Sequence, residues 1–246
     1  MELSRRVFPN EPITRVEGTA LSPRFDAMLK AHSGAPGEWG IIYNKSIRSP
    51  GRINFSLAHE LGHYILHRAE LAGSGGCGNT DAHVAQSPPT DRETEANTFA
   101  SHFLMPLDDF QEQIDGGTPS WEFMSALADR YEVSLETACL KWIEVTPQRA
   151  MIVRGIEGFI DWTRSSTALL KSGVFYRAKQ KTIRLPEKAL ASGHNSLGLS
   201  SFGTATHPPG VWIGDEEVRE LTKFSHFDET TLTILLYPND VRPRQA

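Results

Sequence analysis

Cysteine is scarce in this sequence: Cys77 and Cys139 are the two in 246 residues, far apart and in no CxxC pair. That excludes a disulfide scaffold and fits free thiols in a reducing compartment. No apolar run approaches the roughly twenty residues that cross a bilayer as a helix. The N-terminal stretch MELSRRVFPNEP carries Arg5 and Arg6 with no apolar segment behind them, so it does not read as a secretory signal. A basic surplus is missing too. With 25 Lys+Arg against 30 Asp+Glu, the formal charge is −5 and the pI about 6.0, the wrong sign for a dedicated binder of nucleic acid or anionic membrane. No internal repeat is visible. These absences leave a cytoplasmic globular protein as the expectation. Hydrophobic content of 39% and charged content of 22% are ordinary for such a protein. The length suffices for one large domain or two modest ones with a buried core.

What is present is patterned. Residues 39–44 (WGIIYN) form a short apolar run bounded by turn residues, which predicts a strand. In INFSLAHELGHYILH the apolar positions Leu57, Leu61, Tyr64, Ile65 and Leu66 recur with a helical period. Residues 71–90 are rich in Gly, Ser and Pro and read as an exposed loop. Thr90 with Glu93 three residues on fits a capping box. It would open a helix from Asp91 to Met105 with Ala96, Phe99, Ala100 and Phe103 on its apolar face and a stop at Pro106. Two further helices, Pro119 to Tyr131 and Leu135 to Val145, are separated by a short turn and resemble a helix-turn-helix. After about residue 148 the texture changes to short strand-like runs (MIVR, GFIDW, VFYR, KTIRL, VWIG, TLTILLY) interrupted by a long Gly/Ser loop. A boundary is expected at Thr146–Pro147, giving a domain over 1–146 that includes the helix pair at 119–145, and a smaller α+β domain over 147–246. Residues 1–35 show few helical signals.

One segment carries chemistry. His59-Glu60-Leu61-Gly62-His63 spells HExxH. On a helix, positions four apart lie one turn apart on one face, so both imidazoles can address one metal ion. Glu60, beside the first histidine, is placed to act as general base. Three protein ligands and one open position are what catalytic zinc requires. For the third ligand, Ala69 stands where a metzincin has its last histidine. His67, eight residues after His59, is rotated by roughly 80° and reads as a polar residue favoured by the helix C-terminus. A downstream carboxylate is left, Glu93 or Glu95. Assigning Glu93 to the capping box with Thr90 leaves Glu95 for the metal, although a solvated surface role suits either residue.

GRINFSLAHELGHYILH, followed about thirty residues later by ETEANTFASHFLMP, resembles the ImmA/IrrE family of metallo-endopeptidases over roughly residues 36 to 146. The resemblance implies an α+β, zincin-like fold with a helix-turn-helix-like pair. It also implies a zinc cofactor (manganese or iron could occupy the same ligands) and, from the glutamate just before Ala96-Asn97, Glu95 as third ligand. It further implies a protein substrate: a helix-turn-helix transcriptional repressor or antitoxin in a stress-response or mobile-element circuit. Two departures stand out. Residues 1–35 are irregular where many relatives have one or two helices, and the segment between the two metal-binding helices is unusually Gly-rich.

Other features carry less. Substrate backbone would add as a strand along Ile41, Ile42, Tyr43 and Asn44. His102, two turns after Glu95, would reach the cleft as a transition-state donor. Cys77 could swing onto the metal as a latch, but an idle loop cysteine is the commoner case. His83 is a weaker candidate, and His194 and His207 read as loop polarity. The helix LETACLKWIEV offers Lys141 against Glu136 and Glu144, a poor pattern for contacting phosphates, so direct nucleic-acid binding is not expected. The domain over 147–246 is expected to sense, select substrate or dock a partner. Two rival functions remain: a non-cleaving protein that sequesters a repressor, and a DNA-binding regulator acting through the helix pair.

Overall fold

The computed structural model describes residues 1–32, 34, 37–72, 91–176, 182–193, 202–225 and 229–239, and the backbone of 77–80. Within this span the chain divides into two units. One comprises Met1–Phe110 with Ala128–Ser134; the other comprises Gln111–Leu127 with the described residues from Leu135 onward. The division differs from the boundary expected at 146–147, because the helix Leu135–Val145 belongs with the second unit.

The first unit begins with helix α1 (Glu2–Val7) and strands β1 (Ile13–Thr19), β2 (Phe25–Ala31) and β3 (Trp39–Asn44). Strands β1 and β2 fall in the stretch read as irregular. Along β1 only Ile13 is buried, so the strand lacks the alternation by which half-buried strands are recognised. Helix α2 (Pro50–Leu71) follows. Its start is set by Ser49, whose side chain accepts from the Arg52 amide, and by a proline at the first helical position. The sheet is completed by β4 (Cys77–Thr80) in the order β1-β3-β2-β4. β1 runs parallel to β3, while β2 is antiparallel to both β3 and β4.

Helix α2 packs against β2 and β3 through Leu29, Trp39, Ile41, Tyr64 and Leu71. A partly exposed ion pair, with Asp26 buried and Arg52 reaching toward solvent, ties helix to sheet. Arg52 Nε and Nη2 donate to Asp26 Oδ2 and Oδ1 at 2.6 and 2.8 Å, the bidentate geometry that a guanidinium favours. Helices α3 (Asp91–Leu104) and α4 (Leu107–Ile114) come next. Helix α3 stops just before Pro106, as its sequence predicts. Thr90, the expected cap, lies outside the described residues.

The second unit holds most of α5 (Trp121–Arg130) and all of α6 (Leu135–Val145), both close to prediction. Its sheet is built from β5 (Ala150–Ile156), β6 (Phe159–Ser165), β7 (Ile183–Arg184), β8 (Phe202–His207), β9 (Val218–Ser225) and β10 (Thr230–Leu236), with α7 (Thr167–Lys171) between β6 and β7. All pairings are antiparallel, in the order β7-β6-β5-β10-β9-β8. The runs VFYR and VWIG form no strand among the described residues, and the segment read as one long loop contains β8. Helix α6 packs on β5 and β6. A core of Met151, Val153, Leu169, Trp212, Leu235 and Tyr237 fills the unit.

Glu220, fully buried, is the polar centre of this unit. It accepts from the Leu190 and Ala191 amides, His207 Nε2, Trp212 Nε1 and Thr222 Oγ1, so His207 is a strand-end residue paired inside the unit. His194 lies outside the described residues. Lys141 is 1% exposed, so the single cation of α6 is turned away from any phosphate. Among the described residues no helix is long and apolar enough to cross a membrane.

Candidate active site

Helix α2 places His59, His63 and His67 at four-residue intervals, and all three are buried, as is Glu60. A stripe of this kind drifts slowly around a helix of 3.6 residues per turn. The three rings therefore contact in sequence rather than facing unrelated surroundings. His59 Nε2 and His63 Nε2 lie 2.9 Å apart.

Helix α3 crosses α2 at close range because the contact is made of small residues. Gly62 faces Ala96: a Cβ added at Gly62 would meet Ala96 Cα and O at 3.2 Å and Phe99 Cδ1 at 3.1 Å. Ala96 and Ala100 are fully buried there, whereas Phe103 is 50% exposed. The face of α3 that meets α2 is thus the 93-96-97-100 stripe.

That stripe decides the third acidic position. Glu93 Oε2 lies 3.3 Å from His59 Nε2, and Glu93 Oε1 lies 3.3 Å from His63 Nε2. From the sequence, Glu95 is the residue expected here. Two residues further on, Glu95 is turned by roughly 200°, and its Oε2 contacts His67 Nε2 at 2.8 Å instead. Asn97, which the sequence reading passed over, shares the Glu93 face and brings its Oδ1 to 2.9 Å from His59 Nδ1. The small-residue spacing of Ala96 and Ala100 opposite Gly62 is the signal that would have selected Glu93.

The electrostatics follow from this packing. Contacts with His59 and His63 hold the Glu93 carboxyl far below the usual carboxylate range. Burial pushes Glu60 up to about 8, the nearby Leu29 backbone opposing the rise and the Glu93 charge adding to it. Among the described residues, neither Glu60 oxygen has a side-chain or backbone partner at hydrogen-bonding geometry.

Two imidazole nitrogens and a carboxylate converging this closely need positive charge among them. The donor set His59, His63 and Glu93 is one that suits zinc and related divalent cations. The buried, unsatisfied carboxylate of Glu60 is likewise placed for polar chemistry rather than for packing.

The remaining sequence candidates lie elsewhere. β3 is paired on both sides, with β1 and β2, so Ile41–Asn44 offers no open edge to a substrate strand. Ile41 is in the core. Asn44 is buried, its Nδ2 donating to the Phe25 carbonyl at 3.0 Å, while Ile42 and Tyr43 are half-buried. His102 is exposed, and its Nδ1 donates to the Thr98 carbonyl of its own helix at 2.9 Å. It lies nine residues past Glu93, roughly half a turn around α3 from it, and so is not brought to the cluster. The side chain of Cys77 and all of His83 lie outside the described residues.

The stretch that holds HExxH is also the stretch that resembles known proteins. The Peptidase_M78 family model, described as the IrrE N-terminal-like domain, matches residues 19–142, just over half of the chain. The radiation response metalloprotease IrrE of Deinococcus radiodurans is 33% identical over 110 residues, which make up 45% of this chain and 33% of that protein. The matched stretch thus spans about a third of that relative's length.

Proposed function

This chain belongs to the IrrE N-terminal-like peptidase family, and from that premise we propose that it is a zinc-dependent endopeptidase. The observation that carries the reading is the convergence of His59, His63 and Glu93 beside the buried Glu60. His59, His63 and Glu93 would hold the metal, which when bound supplies Lewis-acid activation of water and of the scissile carbonyl. Asn97 orients the His59 ring. Glu60 in its ionised form would take a proton from the attacking water; burial, which favours the protonated carboxyl, helps it hold that proton until it passes to the leaving amine. Substrate backbone would pair with β1 or β4, the edge strands of the sheet among the described residues. Of these, β4 borders β2, the strand that carries Leu29 against Glu60.

The substrate is proposed to be a helix-turn-helix repressor or antitoxin of a stress-response or mobile-element circuit, met in the cytoplasm. The second unit would sense a signal or dock that substrate. The test is incubation of the purified protein with the repressor encoded beside its gene, with and without chelator. Cleavage that the chelator abolishes supports the reading. Tight binding with the repressor left whole would identify a sequestering protein instead. A DNA shift by this chain alone would point to a regulator acting through α5 and α6, which the burial of Lys141 disfavours.

A further inference from the structure

Each of the two histidines of the HExxH segment presents Nε2 to the cluster, and for each the opposite nitrogen, Nδ1, has a partner. For His59 the partner is the amide oxygen of Asn97 at 2.9 Å. An amide oxygen only accepts, so His59 Nδ1 carries the proton and its Nε2 lone pair is left for the cluster. For His63 the partner is another ring: His67 Nδ1, at 3.1 Å. A histidine can donate or accept there, and its direction has to be set from its far side.

The far side is Glu95. Its Oε2 lies 2.8 Å from His67 Nε2, and an ionised carboxylate only accepts. His67 Nε2 therefore donates to Glu95, its Nδ1 is left to accept, and the contact with His63 runs one way. His63 Nδ1–H donates to His67 Nδ1, and the His63 Nε2 lone pair faces His59 and Glu93. His67 is 4% exposed, so water does not compete for its Nδ1.

We propose that His67 is a positioning residue that fixes the tautomer and ring orientation of His63, with Glu95 setting the direction of the chain. The two ligand histidines thus receive the same service from chemically different groups, an amide from α3 and an imidazole from one turn further along α2. The inference rests on the reading of His59, His63 and Glu93 as metal ligands. It goes beyond that reading by giving His67 and Glu95 a role in how well the site holds a metal.

The test is zinc affinity by chelator competition for the wild type, His67→Phe, His67→Leu and His67→Gln, with a thermal melt of each in excess chelator. Phe and Leu keep apolar bulk but offer His63 no acceptor, and each should weaken zinc ten- to hundredfold. Gln restores a carbonyl acceptor of the kind Asn97 already supplies and should return affinity to within about threefold of wild type. That rescue is what separates positioning from mere packing. If Phe and Leu bind zinc as tightly as wild type, or if Gln binds as weakly as they do while melting normally in chelator, the proposal is overturned. Should the wild type itself bind no divalent metal, the metal reading fails first, and the two failures are told apart by that one measurement.

Discussion

Replacing Glu93 and, separately, Glu95 by alanine divides the structural reading from the sequence expectation. Glu93 Oε1 and Oε2 lie 3.3 Å from both ring nitrogens, whereas Glu95 touches only His67 and its side chain is 60% exposed. Loss of a group that merely orients a ligand costs ten- to hundredfold in metal affinity, so loss of a ligand itself should cost more than about a hundredfold. At free zinc of one hundred times the wild-type Kd, binding stabilises the wild type by about 2.7 kcal/mol. For Glu93→Ala, with Kd raised a hundredfold, the same zinc contributes about 0.4 kcal/mol. Glu95→Ala, at most about tenfold weaker, should retain about 1.4 kcal/mol or more. At about 2–4 °C per kcal/mol for a chain of this size, zinc should raise the melting temperature by about 5–11 °C, about 1–2 °C and about 3–6 °C or more, respectively. Differential scanning fluorimetry with and without zinc measures each difference within one protein, so any change in the metal-free fold cancels. A normal zinc shift in Glu93→Ala with a lost shift in Glu95→Ala would refute the assignment of the stripe on α3.

The remaining predictions concern pH and packing. Because the Glu60 pKa is raised from 4.5 to about 8 in the folded chain, the native state binds that proton more tightly than the unfolded chain. In chelator, stability therefore falls as pH rises from about 4.5 to 8. Glu60→Gln removes that slope, so its advantage over wild type should grow from near zero at pH 4.5 to several kcal/mol, on the order of 3–5, above pH 8. A pH-independent offset between the two melts would refute it. Gly62→Leu should force α3 off α2, since even a methyl group would stand 3.2 Å from the Ala96 backbone. Zinc binding should fall more than in Glu95→Ala, and retained affinity would show that Glu93 does not depend on this contact. Glu220→Ala should destabilise the second unit by about 3–5 kcal/mol, because five donors lose a buried acceptor. An unchanged calorimetric transition would contradict that.

The part of the site that was legible from sequence is the part written in a helical period. His59, Glu60 and His63 occur together in five residues of an amphipathic run, and their shared face follows from the geometry of one helix. The choice between Glu93 and Glu95 depends on which face of α3 meets α2, whereas the capping-box pattern of Thr90 with Glu93 speaks only for the start of the helix and left Glu95 for the metal. Of the apolar face read from the sequence, Ala96, Phe99 and Ala100 pack at the contact with α2, while Phe103 is left half in solvent. His67 was read alone, as one polar residue near a helix end; its role needs Glu95, which comes from another helix. β1 escaped notice because an edge strand with one buried residue has no pattern to show. β3 was legible as a strand, but its place between two neighbours is a property of the sheet order, which no local run of residues contains.

The partition of the chain has a consequence for modularity. The backbone passes between the two units three times, after Phe110, after Leu127 and after Ser134. No single peptide bond can therefore be cut to give the units as two intact polypeptides, as it could for domains strung in series. A chain stopped near Pro147 would keep Gln111–Leu127 and α6 while discarding the sheet on which α6 is packed. Exchange of the HExxH unit between proteins, by recombination or by design, would have to carry Ala128–Ser134 as a second inserted piece. The cluster of His59, His63 and Glu93 sits in a unit that is contiguous in space but not in the gene.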